Sequence, residues 1–345
     1  MTSSRTSFLP GQPWPDTDGV HINAHGGGIL YHQGIYYWYG EHKVATKLGN
    51  TAQVGVSCYS STDLYNWKNE GIALPVSEEP GHDIEKGCIL ERPKVIYNES
   101  TGKFVMWFHL ELKGQRYKAA RCATAVSDSP VGPFTYIESF RPNAGIWPIN
   151  VRPENKIPQE KNFLERDFGG GQMSRDMTLF VDDDGKAYHI CASEENKTTH
   201  ISLLTDDYLR PSGSFARAFK GRFMEAAAIC RREGAYHFLA SGCTGWNPNT
   251  ARAGLAESVL GPWEELGNPC IGLNPHTDLD HGKTFGGQST FILKVHGRKD
   301  AYIAMFDVWT PGNAIDGGHI WLPIQFGSDG MVIEWMDEWD LTFFD

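Results

Sequence analysis

Residues 27–41 read GGILYHQGIYYWYGE: a short apolar run, a turn at Gln33-Gly34, and a second run rich in aromatic side chains. Residues 54–67, VGVSCYSSTDLYNW, add a further strand-like run that ends in an Asp-x-x-x-Trp element. Apolar runs separated by a short glycine-containing turn are typical of β-hairpins. This stretch therefore predicts a small antiparallel sheet.

The same pattern recurs along the rest of the chain. The later copies begin with ERPKVIYNESTGKFVMWFHLE (91–111), RDMTLFVDDDGKAYHICAS (175–193), MEAAAICRREGAYHFLAS (224–241) and GQSTFILKVHGRKDAYIAMFDVW (287–309). Repeated small antiparallel sheets are the signature of a β-propeller. A two-sheet sandwich is the alternative, but it does not explain the fivefold recurrence.

We therefore predict an all-β fold, a single five-bladed β-propeller domain spanning residues 1–345. The 38 glycines and 19 prolines suit many turns between short strands. Residues 141–172 interrupt the pattern with a polar, proline-rich segment. We interpret that segment as a loop between the second and third blades rather than as a domain boundary.

Charge and hydropathy limit the possible partners. The chain has 31 basic and 42 acidic residues, a net charge of −11, and no run of Lys and Arg interleaved with aromatic residues. Binding to phosphate backbones needs clustered cations, so no nucleic-acid partner is expected. No apolar stretch is long enough to cross a bilayer, so no membrane partner is expected. A neutral ligand such as a sugar fits this composition better.

Compartment and metal content are predicted from the N-terminus and the cysteines. The first residues contain prolines and no apolar core of signal-peptide length, which favours the cytoplasm; secretion or a periplasmic location after leader removal is the alternative. Seven cysteines form no CxxC pair and are predicted to be free and buried. The sequence Asp-Asp-Asp-Gly at 182–185 lacks the spaced ligands of a calcium loop and predicts a hairpin turn. No cofactor or metal is predicted.

Polar residues precede the first apolar run of each unit. They are His25, Glu91, Asp176, Glu225 and Gln288. The first strand of a propeller blade lines the central channel, so these side chains are predicted to converge. Burying several carboxylates together is costly unless they serve a function.

Two carboxylates in different environments are the usual equipment for cleaving a glycosidic bond. Glu225 is followed by three alanines, which would desolvate it and raise its pKa, as a general acid requires. Asp176 follows Arg175 and would stay ionised, raising the proton affinity of Glu225 by like-charge repulsion. Taken singly, a carboxylate at a strand start is more often solvated or ion-paired; the shared position across the units favours the functional interpretation.

These motifs resemble glycoside hydrolase family 43 over nearly the whole chain. MTLFVDDDGKAY resembles the family's third-blade motif, in which Asp176 would be the pKa-modulating aspartate. MEAAAICRREGAYHFLAS resembles the fourth-blade motif, in which Glu225 would be the general acid. The resemblance implies a five-bladed propeller and an inverting mechanism.

The first blade departs from the family pattern. Most members carry an aspartate general base there, whereas this chain reads INAHGGGIL, with His25 and glycines. This is similar to the exo-β-1,3-galactanase branch, in which a glutamine at the start of the fifth blade is held to position the water and to deprotonate it as its imidic tautomer. FGGQSTFIL supplies Gln288 for this role. ERPKV resembles the branch's sugar-binding segment and implies that Glu91 lies in the −1 subsite, with Glu91 also open as a rival base.

Weaker local matches imply further contacts with substrate. The residues counted as substrate-binding, besides Glu91, are His25, Glu41, Tyr117, Asn196, Thr244 and Trp246. The expected activity is exo-acting, inverting release of galactose from β-1,3-galactan or its oligosaccharides.

Three alternatives stay open at this point. An α-L-arabinofuranosidase or β-xylosidase of the same family would usually carry the missing first-blade aspartate. A non-catalytic carbohydrate-binding propeller would have no need for Glu225 beside Asp176. A glycoside phosphorylase would need a cationic cluster, and only Arg92, Arg175 and His25 lie at strand starts.

Overall fold

The computed structural model describes residues 4–328 and 330–345, which form consecutive antiparallel sheets arranged in a ring. The five blades confirm the predicted all-β, five-bladed β-propeller. In each blade the first strand along the chain lies at the centre of the ring and the later strands follow outward. The blades therefore follow one another around the ring in the order in which the repeated patterns occur in the sequence.

The strands have the following bounds. The first blade contains β1 (His25–His32), β2 (Ile35–Lys43), β3 (Gln53–Ser61) and β4 (Lys68–Pro75). The second contains β5 (Ile89–Asn98), β6 (Lys103–Glu111), β7 (Arg121–Ser127) and β8 (Thr135–Phe140). The third contains β9 (Met177–Val181), β10 (Ala187–Ser193), β11 (Thr198–Leu204) and β12 (Pro211–Ala218). The fourth contains β13 (Met224–Arg232), β14 (Ala235–Gly242), β15 (Arg252–Ala256) and β16 (Glu264–Gly267).

Short elements precede the fifth blade: β17 (Cys270–Ile271), β18 (Leu273–Asn274) and β19 (Leu279–Asp280). The fifth blade then contains β20 (Gln288–Lys294), β21 (Tyr302–Val308), β22 (Gly318–Gly327) and β23 (Gly330–Glu334), with β17 added in parallel beside β23. One short α-helix, α1 (Phe163–Arg166), occurs in the described residues. The 3-10 turns are Gly49–Thr51, Pro153–Lys156, His281–Gly286, Ala314–Asp316 and Leu341–Phe344.

The segment at 141–172 connects β8 to β9, as predicted, and contains only α1 and one 3-10 turn. The turn at 182–185 joins β9 to β10, also as predicted. All seven cysteines are free and all but Cys243 are buried. Within residues 4–328 and 330–345, no helix is long and apolar enough to cross a membrane.

Hydrophobic clusters join each blade to the next. Alternation along a strand sends side chains to both faces of a sheet, and here both faces of the inner strands are apolar. Trp107 and Met177 belong to the cluster between the second and third blades, and Ile190 and Phe238 to the cluster between the third and fourth. Because every blade is buried against two neighbours, the ring fixes where each inner strand begins.

The ring closes between the fifth and first blades. There Phe8 pairs with Trp339 through a backbone hydrogen bond of 2.7 Å, and their rings stack with centroids 4.3 Å apart. Trp14, Trp38 and Trp321 surround this pair in one buried cluster. The two ends of the described chain therefore meet at the seam and cover its apolar surface.

Replacing Phe8 with alanine should destabilise this seam. Phe8 is 1% exposed, and removing a buried phenyl ring costs about 3–5 kcal/mol of unfolding free energy. Val20→Ala is the control, because Val20 is 60% exposed and should change stability by no more than about 0.5 kcal/mol. Urea denaturation measures both, and equal losses would contradict the assigned role of the seam.

Candidate active site

The polar residues at the strand starts gather at one mouth of the central channel. A cavity of about 530 Å³ opens there, and Glu91, Asp176, Glu225 and Gln288 line it. Glu91 lies near the start of β5, Asp176 directly precedes β9, Glu225 lies in β13, and Gln288 begins β20. The predicted convergence therefore occurs for these four side chains.

A backbone bulge follows several of these positions. The strand register shifts directly after His25, Glu91 and Glu225, and the next residue is left-handed in each case: Gly26 (φ 65), Arg92 (φ 58) and Ala226 (φ 58). A bulge re-aims the neighbouring side chain and ends regular pairing. The left-handed conformation costs a non-glycine residue about 1–2 kcal/mol, so surrounding contacts must hold it.

Carboxylates from adjacent blades provide those contacts. The amide of each bulge residue donates to one carboxylate: Gly26 to Asp307 (2.8 Å), Arg92 to Glu41 (3.1 Å), and Ala226 to Asp176 (3.1 Å). At Gly26 an added Cβ would lie 2.1 Å from Glu41 Oε1, so a side chain there would displace the carboxylate that holds the Arg92 amide. Two of these carboxylates, Glu41 and Asp176, line the cavity, so they hold the backbone as well as facing the site.

Arg92 connects the blades beneath the cavity. Its guanidinium pairs with Asp176 Oδ2 at 2.9 Å and donates to Gln288 Oε1 at 2.7 Å and to the Ser289 carbonyl at 3.2 Å. The side chain is 5% exposed and lies 5.5 Å from the Trp309 ring centroid. Because Arg92 belongs to the second blade and its partners to the third and fifth, it fixes the distance between them.

Glu225 is the cavity carboxylate that lacks a cation of its own. Gln288 Nε2 donates to its Oε1 at 3.2 Å, and Asn196 Nδ2 lies 3.5 Å from its Oε2. Burial raises the pKa of Glu225 to about 7, the charge of Asp176 adds to the shift, and Arg92 opposes it. Glu225 therefore keeps its proton up to neutral pH, as a proton donor must.

Gln288 has a fixed amide orientation. Its Oε1 accepts hydrogen bonds from Arg92 and from Trp309 Nε1 (2.8 Å), and both of those groups can only donate. The Nε2 group consequently faces Glu225 and Ser241 Oγ, the latter at 2.9 Å. The amide thus lies beside the candidate acid with a defined donor side and acceptor side.

Glu91 is held as an anion. Asn50 and Tyr117 donate to its Oε1 at 2.6 and 2.7 Å, and its Oε2 lies 3.0 Å from His109 Nδ1. Although burial opposes the shift, His109 and Tyr117 lower the pKa of Glu91 to about 2. The other nitrogen of His109 faces Glu111 at 2.9 Å, so the imidazole is enclosed between two carboxylates. Burial lowers the pKa of His109, but the two carboxylates outweigh this effect and raise it to about 9.

Several other residues predicted from the sequence reach the cavity wall. Tyr117, Asn196, Trp246 and Glu41 line it, and Glu41 pairs with Lys43 at 2.6 Å. Burial nevertheless raises the pKa of Glu41. Trp246 is 41% exposed and packs edge-on against Trp309, with ring centroids 5.3 Å apart. Their contact with a sugar stays a prediction.

The remaining two residues lie away from the cavity surface. His25 is 2% exposed, stacks on His319 and lies with its ring centroid 5.7 Å from that of Trp309; burial lowers its pKa to about 3. Thr244 donates to the Asn247 carbonyl within its own loop at 2.5 Å. Neither residue lines the cavity, so the geometry gives no support to their predicted contact with substrate.

Sequence reasoning missed several residues of the site. Trp309, Asn50, His109 and Cys243 line the cavity, and Ser241 bonds Gln288. They lie on second strands or in loops, where a single sequence shows no periodic break. Arg92 could have been assigned, since it follows Glu91 directly at a strand start.

One group of side chains in the described residues brings possible metal ligands together. Donor atoms of Glu91, His109 and Asp176 lie within 4.8 Å of one another. Asp176 is already paired with Arg92, and both nitrogens of His109 already face carboxylates. A cation there would have to displace these ion pairs, so the residues are a poor fit to a metal site.

No protein-family model and no curated protein matches the chain. The solved structure of a GH43 β-1,3-galactosidase with galactodeoxynojirimycin is 53% identical, with a TM-score of 0.90, over 97% of this chain and 100% of that chain. An exo-β-1,3-galactanase from Clostridium thermocellum is 37% identical, with a TM-score of 0.81, over 96% of this chain and 66% of that chain.

A third similar structure is an exo-β-1,3-galactanase from Phanerochaete chrysosporium with β-1,3-galactotriose. It is 30% identical, with a TM-score of 0.80, over 98% of this chain and 68% of that chain. This chain thus spans about two thirds of the length of the two exo-galactanases, at 66% and 68%. The propeller and its carboxylate-lined cavity are those of a glycoside hydrolase. The chain belongs to glycoside hydrolase family 43.

The pKa of Glu225 predicts a pH profile. A carboxyl group with a pKa of about 7 donates its proton below that pH and loses it above, so kcat/KM should fall as pH rises through about 7. Asp176→Asn removes the like charge that raises this pKa, so its falling limb should move to lower pH.

Asp182→Asn is the matched control, because Asp182 lies in the β9–β10 turn at the far end of the same strand. Its limb should stay in place. Initial rates measured between pH 4 and pH 10 give the position of the falling limb in each variant. A limb that does not move in Asp176→Asn would show that Asp176 does not set the proton affinity of Glu225.

Proposed function

We propose that this chain is an exo-acting, inverting hydrolase that releases galactose from β-1,3-galactan and its oligosaccharides. The observation that carries the proposal is the geometry of the cavity, in which Glu225 lies beside Gln288 and next to the Ala226 amide that binds Asp176, in an environment that raises its pKa to about 7. The substrate is supported by the similar structures, which are a β-1,3-galactosidase and exo-β-1,3-galactanases.

Glu225 serves as the general acid in this proposal. The carboxyl proton passes to the glycosidic oxygen as the bond to the anomeric carbon breaks, and the developing positive charge on the sugar ring faces an anionic cavity. Glu91, whose pKa is lowered to about 2, supplies negative charge from the wall. A water molecule completes the reaction by attacking the anomeric carbon from the opposite side. Its surplus proton is released to bulk water, and bulk water returns a proton to Glu225, so that the acid is restored.

Glu91 is a poor candidate for the base that activates this water. Its pKa of about 2 gives it little affinity for a proton, and Asn50, Tyr117 and His109 already occupy its oxygens. An anion with fixed lone pairs is better suited to accept hydrogen bonds from sugar hydroxyl groups. We therefore assign Glu91 to substrate binding in the proposed mechanism.

Gln288 positions the water in this proposal. Its Oε1 faces two groups that can only donate, Arg92 and Trp309, so a hydroxyl at that atom would have no acceptor. This environment disfavours the imidic tautomer that the family resemblance implies. To hold the water, the Nε2 group exchanges its hydrogen bond to Glu225 for one to the water, while Arg92 and Trp309 keep the amide in place.

Product analysis tests the proposed substrate and the acid together. The wild-type enzyme should release galactose from β-1,3-galactan and β-1,3-galactobiose, and Glu225→Gln should lower kcat by about 100-fold or more, because it cannot donate the proton. Glu233→Gln is the control, since the same exchange at a turn residue that is 63% exposed should leave the rate unchanged.

The other outcomes of this experiment each reject part of the proposal. Activity restricted to aryl arabinofuranosides or xylosides would discard galactan as the substrate. Binding of galacto-oligosaccharides without turnover would favour a carbohydrate-binding propeller. Turnover that requires phosphate would favour a phosphorylase.

Gln288→Ala tests the water-positioning role. Loss of the amide should lower kcat by about 10-fold to 100-fold, with a smaller change in KM, because the water is held less well in the transition state. Proton NMR of the first product formed should show the α-anomer of galactose. Unchanged turnover in the variant would remove Gln288 from the mechanism, and a β-anomer would contradict inversion.

A further inference from the structure

The turn between β10 and β11 has an unusual backbone. Glu194, Glu195 and Asn196 are consecutive and all left-handed, with φ values of 53°, 58° and 63°. Residues other than glycine avoid this region, and single rather than successive residues normally enter it. Such strain persists where surrounding contacts over-determine the backbone, and it is concentrated at functional sites.

A buried ionic cluster holds the first residue of this turn. Arg217 binds Glu194 with two parallel hydrogen bonds, from Nε to Oε1 at 2.6 Å and from Nη2 to Oε2 at 2.7 Å. His200 Nε2 lies 2.8 Å from Glu194 Oε1. The three side chains are 7% (Glu194), 8% (Arg217) and 0% (His200) exposed. None of them lines the cavity, so their placement is not explained by direct contact with substrate.

The strands fix this cluster in the third blade. His200 on β11 pairs directly with Arg217 on β12, so both donors project from neighbouring strands toward the turn. Two-pronged contacts between arginine and carboxylate define direction as well as distance. Glu194 therefore cannot rotate without breaking several hydrogen bonds in a buried environment.

The last residue of the turn reaches the candidate acid. Asn196 lines the cavity, and its Nδ2 lies 3.5 Å from Glu225 Oε2. Its Oδ1 accepts from Arg175 at 3.5 Å. Glu195, the middle residue of the turn, pairs with Arg175 at 3.1 Å. One end of the strained turn is thus tied to the buried cluster and the other end lies beside Glu225.

We propose that Glu194, Arg217 and His200 form a positioning cluster, which holds the left-handed turn so that Asn196 lies beside Glu225 during proton transfer. The inference depends on the proposed role of Glu225 as the acid. The cluster acts through Asn196 and touches no substrate. Because a misplacement of about 1 Å can cost about 100-fold in rate, a cluster outside the cavity can control turnover.

A double-mutant cycle tests this route. Glu194→Gln removes the charge and keeps the size, and it should lower kcat on β-1,3-galactobiose by about 10-fold, with KM changing less. Asn196→Ala should lower kcat by a similar factor. If Glu194 acts through Asn196, adding Glu194→Gln to the Asn196→Ala variant should cause no further loss.

Glu265→Gln is the matched control. Glu265 also receives two hydrogen bonds from one arginine, Arg222, at 2.6 and 2.9 Å, but it lies outside the cavity. Its replacement should leave kcat unchanged. If Glu194→Gln does not fold, Arg217→Lys serves instead, because lysine keeps the charge and loses the two-pronged contact; the same absence of further loss is expected.

Multiplicative losses in the double variant would overturn the proposal, since they would mean that the cluster and Asn196 act independently. A crystal structure of Glu194→Gln gives a readout that does not depend on the substrate. It should show Asn196 withdrawn from Glu225, and an unchanged turn would also overturn the proposal. A wild-type enzyme inactive on galactobiose would instead count against the proposed function, and the crystal structure would then decide on the cluster alone.

Discussion

The guanidinium of Arg92 is the contact on which the rest of the site depends. It is nearly excluded from solvent and joins Asp176 of the third blade to Gln288 of the fifth. Its own amide is bound by Glu41 of the first blade. The carbonyl groups of the bulge residues Arg92 and Gly26 accept hydrogen bonds from the buried Nζ of Lys94, at 3.5 and 2.7 Å. Arg92 therefore couples the arrangement of the blades to the positions of Asp176 and Gln288.

The charges around the cavity are divided unequally. Asp176 has Arg92, Glu91 has His109 and Glu41 has Lys43, whereas the side-chain partners of Glu225 are the uncharged groups of Gln288, Asn196 and Cys243. A nearby cation favours the anion and burial favours the protonated form, so burial raises the pKa of Glu41 even beside Lys43 and raises that of Glu225 to about 7. Glu225, which forms no ion pair with the described residues, is therefore the carboxylate best suited to donate a proton.

The sequence predicted the propeller and four of its converging side chains because both follow from local patterns. Each inner strand is recognisable as an apolar run. A polar residue directly precedes that run in four of the units: Glu91, Asp176, Glu225 and Gln288. Local patterns do not predict the direction in which each side chain points, because that direction depends on bulges and on carboxylates from other blades. His25 shows this limit: it occupies the expected position, yet it is buried, with its ring stacked on His319 and close to Trp309.

The left-handed turn at 194–196 illustrates the same limit at longer range. Nothing in the letters SEENKT distinguishes it from an ordinary hairpin turn, since its conformation is imposed by Arg217 and His200. Likewise Thr244 bonds within its own loop and Trp309 reaches the cavity from the end of β21. Contacts between distant parts of the chain decide such cases, and a single sequence does not encode them in any local period.

The most direct test of this account is a titration of the Glu225 carboxyl group itself. Infrared difference spectra between the wild-type protein and Glu225→Gln, recorded as a function of pH, isolate the stretching band of this one group. The account predicts that the band of the protonated acid persists to a midpoint near pH 7. A midpoint near the ordinary glutamate value of about 4.3 would mean that Glu225 is ionised at neutral pH, and the assignment of the acid would be wrong.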